Sequence, residues 1–347
     1  MISIIIPVRR LNNYVNEAIP HYLNMGYSNF ECIFLPDYIK DEDINNLELE
    51  LKKVKTFNDG FCEYSSNLDK RIRIIETGIV TPGKKRDLAL RYSKGDVYAF
   101  IDDDAYPCKE WLNNALTILE DETIGGVGGP AITAKTENIY EMASGKVFES
   151  FMCNGVFKYR YLPTTRKDVD DIPSVNLIVK KDIFEKVGGF DCNYYPGEDT
   201  KLCMKIINEG KRLVYDPCIL VYHHRRPLFV KHIKQIANYA KHRGYFAKSH
   251  FRTSLKFSYF IPSLFIICLI LGIIACLLIS PLWNLYIFII GLYIVLVLCS
   301  LKSCLYEYKN IINNLKLLLI SFIGVFITHV CYGVCFIKGL FVKDLDK

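Results

Sequence analysis

Acidic side chains are missing from one long stretch. Between Asp216 and Glu307 there is no Asp or Glu, while Arg225, Arg226, Lys231, Lys234, Lys241, Arg243, Lys248, Arg252 and Lys256 crowd its first part. Charge of either sign is missing from residues 257–280 and 282–301. An uncharged apolar run of about twenty residues is what a helix needs to cross a bilayer, so both are expected to be transmembrane helices. A third run, 315–342, carries Lys316, His329 and Lys338 and is expected either to span with snorkelling ends or to lie partly in the interface. The thirteen cysteines include no Cys-x-x-Cys pair and "VCYGVC" has no His at zinc spacing, which excludes a zinc module; they are read as small apolar residues. Nor does a glycine-rich phosphate loop follow the first apolar run, since "PVRRLNN" has neither the GxGxxG nor the GxxxxGK[ST] spacing. "MISIIIPVRR" lacks the basic start and the apolar length of a signal peptide, so the first 250 residues are expected to stay in the cytoplasm. The basic stretch before the first span agrees with that side and suits an anionic lipid surface. The formal charge of +6 is therefore local, and no nucleic-acid partner is expected.

What is present in the first hundred residues is an alternation of strand-like and helix-like segments. "SIIIPV", "ECIFLPD", "IRIIE" and "VYAFIDDD" read as buried strands, with helical periodicity in "NNYVNEAIPHYLNM" and "KKRDLALRYS" between them. That order predicts an α/β fold with a mostly parallel sheet covered by helices on both faces. Residues 1–250 are expected to form this domain and 251–347 a membrane anchor. Ligands of such sheets bind at the carboxyl ends of the strands, where Asp37 and Asp102 to Asp104 fall. Residues Tyr38 to Arg71 show no apolar face and are expected to be a surface insertion.

Three consecutive aspartates repel one another unless a cation neutralises them, and hard divalent ions such as Mg2+ or Mn2+ take carboxylate and phosphate oxygens. In an extended chain Asp102 and Asp104 share one side and Asp103 takes the other. Such a cluster also occurs in plain Asp-rich turns, for which Pro107 and the following helix "CKEWLNNALTIL" would argue. A second acidic pair, Glu198 and Asp199, opens a helical segment whose dipole keeps carboxylates ionised.

Ser3 to about Phe246 resembles the family 2 glycosyltransferases of the GT-A fold. The resemblance is carried by "IIIPV", the Asp after the second strand, "GKKRDLAL", "AFIDDDA", "GGVGGP", "SVNLIVKKDIFEKVGGFD", the "ED" pair and "VYHHRRP", in that order. It implies a metal-dependent enzyme that uses a nucleotide-sugar donor. Asp102, Asp104 and His224 would hold Mg2+ or Mn2+. Pro7, Arg9, Asp37, Lys84 (or Lys85), Arg86, Asp102, Asp103 and Arg225 would line the donor site. Asp199 would be the catalytic base, with Glu198 orienting the acceptor or the base.

The chain departs from the family pattern at Arg9 and Arg10 and at Arg86-Asp87, positions the resemblance places at the nucleotide pocket. It also lacks the Gln-x-x-Arg-Trp signature of processive synthases, so one sugar per acceptor is expected. The acceptor is expected to be a lipid-linked or cell-surface glycan, with a polyprenyl phosphate as the alternative, at a cell membrane crossed more than once. A nucleotidyltransferase is the less favoured reading, and a transporter is disfavoured by the absence of ionisable groups in the first two spans.

Overall fold

The computed structural model describes residues 1–40, 42, 50–57 and 60–345. Strand β1 (Ile2–Pro7) is buried throughout, and the two-residue period of a strand divides its side chains between two cores. Ile2, Ile4 and Ile6 pack with residues of α1 (Asn13–Leu23) and α3 (Trp111–Leu119). Ile5 packs on the opposite face with residues of α2 (Pro82–Ala89), α5 (Lys181–Lys186) and α6 (Glu198–Asn208). Helices on both faces account for strands with no polar side.

The remaining strands are β2 (Phe30–Leu35), β3 (Leu51–Thr56), β4 (Cys62–Ser66), β5 (Ile72–Ile75), β6 (Val97–Phe100), β7 (Ala105–Pro107), β8 (Ile124–Gly128), β9 (Ala131–Thr133), β10 (Lys167–Asp168), β11 (Leu177–Lys180), β12 (Arg212–Tyr215) and β13 (Val221–His223). Among the described residues ten of them form one sheet in the order β10-β12-β8-β11-β6-β1-β2-β5-β4-β3. Its centre, β6-β1-β2-β5, is parallel as expected. β11 lies antiparallel between β6 and β8, with Leu177 opposite Phe100. The chain therefore enters β11 from the carboxyl edge, which brings Ser174 and Asn176 there.

β3 and β4 extend the other end as an antiparallel pair. They belong to the segment expected to be an insertion, of which residues 41, 43–49 and 58–59 lie outside the described residues. No apolar face was legible there because β3 is an edge strand with exposed Lys52, Lys53 and Lys55, and charges on an edge discourage pairing with another chain.

A smaller sheet, β7-β13-β9, sets one feature of the site. β13 runs antiparallel to β7 with His223 opposite Ala105, one residue beyond the aspartates. "GGVGGP" is explained by close approach: a Cβ on Gly129 would stand 1.9 Å from the carbonyl oxygen of Ile219, and one on Gly128 2.2 Å from that of Asn176. Asn176, buried, donates to the Ile219 carbonyl at 2.7 Å and accepts from the indole of Trp111 at 2.8 Å.

By packing, residues 1–132 and 162–223 form one unit, and 133–161 with 224–345 a second. The division expected at residue 250 differs from this one. The second unit contains α4 (Ile139–Glu149), α7 (Val230–Ser249), α8 (Ile261–Leu278), α9 (Leu282–Ser300) and α10 (Ile311–Phe341). The last three are long and apolar enough to cross a membrane.

Gly129→Ala is expected to destabilise the protein by about 3 kcal/mol or more, because its new methyl meets backbone that cannot turn aside. Gly26→Ala meets only the mobile ends of Glu110 and Asn113 and is expected to unfold as the unmodified protein does. Thermal unfolding of both variants in detergent checks the contrast; equal midpoints would remove close approach as the reason for the motif.

Candidate active site

β6 ends at Phe100, and the chain leaves the sheet edge carrying Asp102, Asp103 and Asp104. Asp102, Asp104 and His223 each offer a ligand atom, all within 4.8 Å of one another, and His223 Nε2 stands 3.0 Å from Asp104 Oδ1. The alternation read from the sequence holds: Asp103 turns away and accepts from Asn12 Nδ2 at 3.1 Å. Asn12 also caps α1, its Oδ1 accepting from the backbone of Tyr14 and Val15. Burial, then the charges of Asp104 and Asp102, push the Asp103 carboxyl up to about 7. Asp102 is likewise raised, by burial first, with Arg86 opposing. A cation placed among these groups would relieve that crowding.

Thr81 and Pro82 start α2, with the Thr81 hydroxyl accepting from the backbone of Lys84. The helix then directs two successive basic residues about 100° apart. Arg86 is 1% exposed; its Nη2 meets Asp102 Oδ1 at 2.7 Å and its Nη1 meets Glu198 Oε1 at 2.8 Å, with the guanidinium near the Phe190 ring. Burial works against its charge, but Asp102 and Glu198 outweigh it and raise its pKa. Arg86 is thus engaged by protein carboxylates, where the expectation had it facing the donor. Lys85 Nζ pairs with Asp37 Oδ1 at 2.6 Å and donates to the carbonyls of Val8 and Leu35, joining the ends of β1 and β2. It is Lys85, and not Lys84, that reaches Asp37; Lys84 is exposed, one step further round the helix. Pro7 is buried at the end of β1 beside Leu35, and Arg9 is exposed just after it.

Gly197 takes φ 105°, a left-handed value that favours glycine, and delivers Glu198 and Asp199 into the first turn of α6. Their environments differ. Glu198 is buried against Arg86, and burial, then Asp199, push it up to about 7. Asp199 is half-buried; its Oδ2 accepts from the backbone of Ser174 at 3.2 Å and its Oδ1 from that of Thr200 at 2.8 Å.

Three further positions depart from expectation. The imidazole that joins the aspartates is His223, not His224, because the β13–β7 register sets His223 beside Asp104. Arg225 lies in the second unit, buried near the rings of Tyr161 and Phe148 at 5.2 and 5.5 Å. Asp87, read as part of the nucleotide pocket, accepts from the backbone of Phe190 and Asp191 at 2.8 and 3.0 Å and so holds the "GGFD" turn. Sequence reasoning missed Asn12 and Ser174. The helix-start pattern "LNNY" was the available signal for the first; Ser174 contributes only a backbone N–H and had none.

The sequence signature described as Glycosyl transferase family 2 matches residues 3–188, more than half of the chain, and Glycosyl transferase family group 2 matches 99–301. The chain is 32% identical over 145 residues to the pre-mycofactocin glycosyltransferase of Mycobacterium tuberculosis, a match covering 42% of this chain and 30% of that protein's length. It is 26% identical over 233 residues to the O-antigen biosynthesis glycosyltransferase WbnJ of Escherichia coli, covering 64% and 79% of the two chains. The fold is that of mannosyltransferase PcManGT from Pyrobaculum calidifontis, solved in complex with GDP-Man and Mn2+, at TM-score 0.55 and 16% identity over 99% of this chain and 88% of that one. With the sheet, the aspartates at its carboxyl edge and the acidic start of α6 in place, the chain belongs to glycosyltransferase family 2, with a GT-A fold.

Proposed function

We propose that this protein transfers one sugar from a nucleotide-sugar donor to a hydroxyl of a lipid-linked or cell-envelope glycan, at the cytoplasmic face of a membrane. The observation that supports this most is the connected set Asp104–His223, Asp102–Arg86–Glu198, which ties a cation-binding edge to the acidic start of α6. Asp102, Asp104 and His223 suit a divalent ion, and an imidazole beside two carboxylates favours Mn2+ over Mg2+, which prefers oxygen ligands alone. When bound, the ion supplies counter-charge to the diphosphate leaving group.

The chain's own residues do the rest. Asp37, held by Lys85 at the ends of β1 and β2, is the proposed contact to the nucleobase. Asp199 is the proposed base: half-exposed and steadied by two backbone N–H groups, it takes the acceptor hydroxyl proton. The acceptor oxygen bonds to the anomeric carbon as the bond to the diphosphate oxygen breaks on the opposite side, inverting the configuration. Glu198 and Arg86 fix where Asp199 and Asp102 stand. The basic approach to α8 and the apolar helices support placement at an anionic membrane, with lipids as neighbours of the second unit.

The reading is tested with the full-length protein in detergent, given UDP-, GDP- and dTDP-sugars and either a glycan-lipid or a polyprenyl phosphate. Release of nucleoside diphosphate with a glycan product is expected; transfer only to the polyprenyl phosphate would replace the acceptor class, and pyrophosphate release would replace the reaction. EDTA is expected to abolish turnover, with Mn2+ restoring it, and Asp104→Ala to be unrescued at ordinary Mn2+. Full activity of that variant in EDTA would sink the metal site.

Asp199→Asn is expected to leave donor binding intact and to lower turnover by roughly a hundred- to ten-thousandfold, the usual scale for a lost base. Near-normal turnover would show Asp199 to be only a helix cap.

Arg86→Ala leaves the buried Glu198 and the partly exposed Asp102 without their partner. It is expected to cost about 3 to 5 kcal/mol of stability along with activity. Arg86→Lys keeps one charge but loses the fork, so it is expected to regain part of the stability and little of the turnover. An Arg86→Ala protein that melts normally and loses only donor affinity would return Arg86 to the donor site.

A further inference from the structure

The three apolar helices do not have the same surroundings. Buried residues make up 11% of the apolar stretch of α8 and 6% of that of α9, but 39% of that of α10. What covers α10 is polar-bearing structure, along most of its length. At its start, Asn314 Nδ2 donates to the carbonyls of Leu305 and Tyr308 in the loop after α9. In its middle, Gly324 lies so close to α4 that a Cβ would meet Val147 at 2.9 Å. Further on, Thr328 bonds His232 of α7 at 3.1 Å, and Gly339 approaches Gly244 and the Lys241 carbonyl too closely for any side chain. Beyond its end, Lys248 Nζ donates to the Val342 carbonyl.

From Asn314 to Val342 an α-helix advances about 42 Å at 1.5 Å per residue, more than the roughly 30 Å thickness of a bilayer's hydrocarbon. Were α10 a span, α7 would be carried into the hydrocarbon beside it, and α7 exposes Lys231, Lys234, Lys241 and Lys248. Much of the remaining face of α10 is apolar and exposed: Ile311, Leu315, Leu319, Ile323, Phe326 and Val334 fall within roughly 140° of arc at 100° per residue, an arc that α8 and α9 cover only around the buried His329 and Gly333. Exposed Lys316 and Lys338 sit at one border of that stripe, as the basic rim of a helix lying on anionic lipid does. α8 meets α10 through its first residues, Pro262, Ser263 and Ile266 at Gly333, and Tyr293 of α9 bonds His329. The stripe thereby adjoins the α8–α9 hairpin.

We infer that α10 lies in the membrane interface with this stripe in the lipid, that only the α8–α9 hairpin crosses, and that the segment after α10 is on the same side as α4 and α7. The inference rests on the membrane placement proposed above. Alkaline phosphatase, active only outside the cytoplasm, and green fluorescent protein, fluorescent only inside, are inserted at Pro281, at Tyr306 and after Lys347 in the full chain. Phosphatase activity at Pro281 with fluorescence at the other two sites is expected. Phosphatase activity at both Pro281 and Lys347 would make α10 a span and overturn the inference alone, whereas none at Pro281 would overturn the membrane crossing itself.

A second measurement reads depth. In a Trp283→Phe background, Leu319→Trp, Phe326→Trp and Val334→Trp are each reconstituted in phosphatidylcholine–phosphatidylglycerol vesicles brominated either near the headgroup or deep in the acyl chain. All three are expected to be quenched at least twofold more by the shallow bromines. Stronger quenching of the Phe326 position by deep bromines would place the middle of α10 at mid-bilayer and refute the proposal.

Discussion

A buried guanidinium cannot be left without counter-charge, and around Arg86 that constraint organises the first unit. Its two terminal nitrogens engage Asp102, on the loop leaving β6, and Glu198, at the start of α6. Three segments distant in sequence are thereby brought to one point at the carboxyl edge of the sheet. The central cation offsets part of what it costs to remove water from so many like charges; burial first, and then the neighbouring carboxylates, still push the Glu198 and Asp103 carboxyls up to about 7.

The neighbouring Lys85 does a parallel task on the other side of α2. By joining Asp37 to the carbonyls of Val8 and Leu35, it closes the ends of β1 and β2 over the position proposed for the nucleotide. One short helix therefore sets two cations about 100° apart, one toward each half of the site. Backbone proximity completes the arrangement. Gly129 lets the loop before β13 approach, Gly128 makes room for Asn176, and Asn176 holds that loop, so that His223 is presented to the aspartates. The second unit meets a different constraint: α10 must cover an apolar stripe while its other face is engaged by basic and polar elements. A lipid interface satisfies both faces at once.

Much of this was legible in the sequence alone, because short-range physics determines it. The unbroken apolar runs in "SIIIPV" and "VYAFI" declared buried strands; the absence of charge over 257–280 and 282–301 declared helices α8 and α9; and Asp102 and Asp104 declared a shared side by alternation. The family motifs lie in the same local segments. What only the tertiary structure decided depends on register and packing between segments far apart. The pairing of β13 with β7 selected His223 over His224, and the rotation of α2 selected Lys85 over Lys84. The antiparallel entry of β11 supplied Ser174 to Asp199, and the burial of α10 on one face distinguished it from the two helices before it. Composition reports how apolar a segment is, but which neighbour covers it is fixed only when the chain has folded.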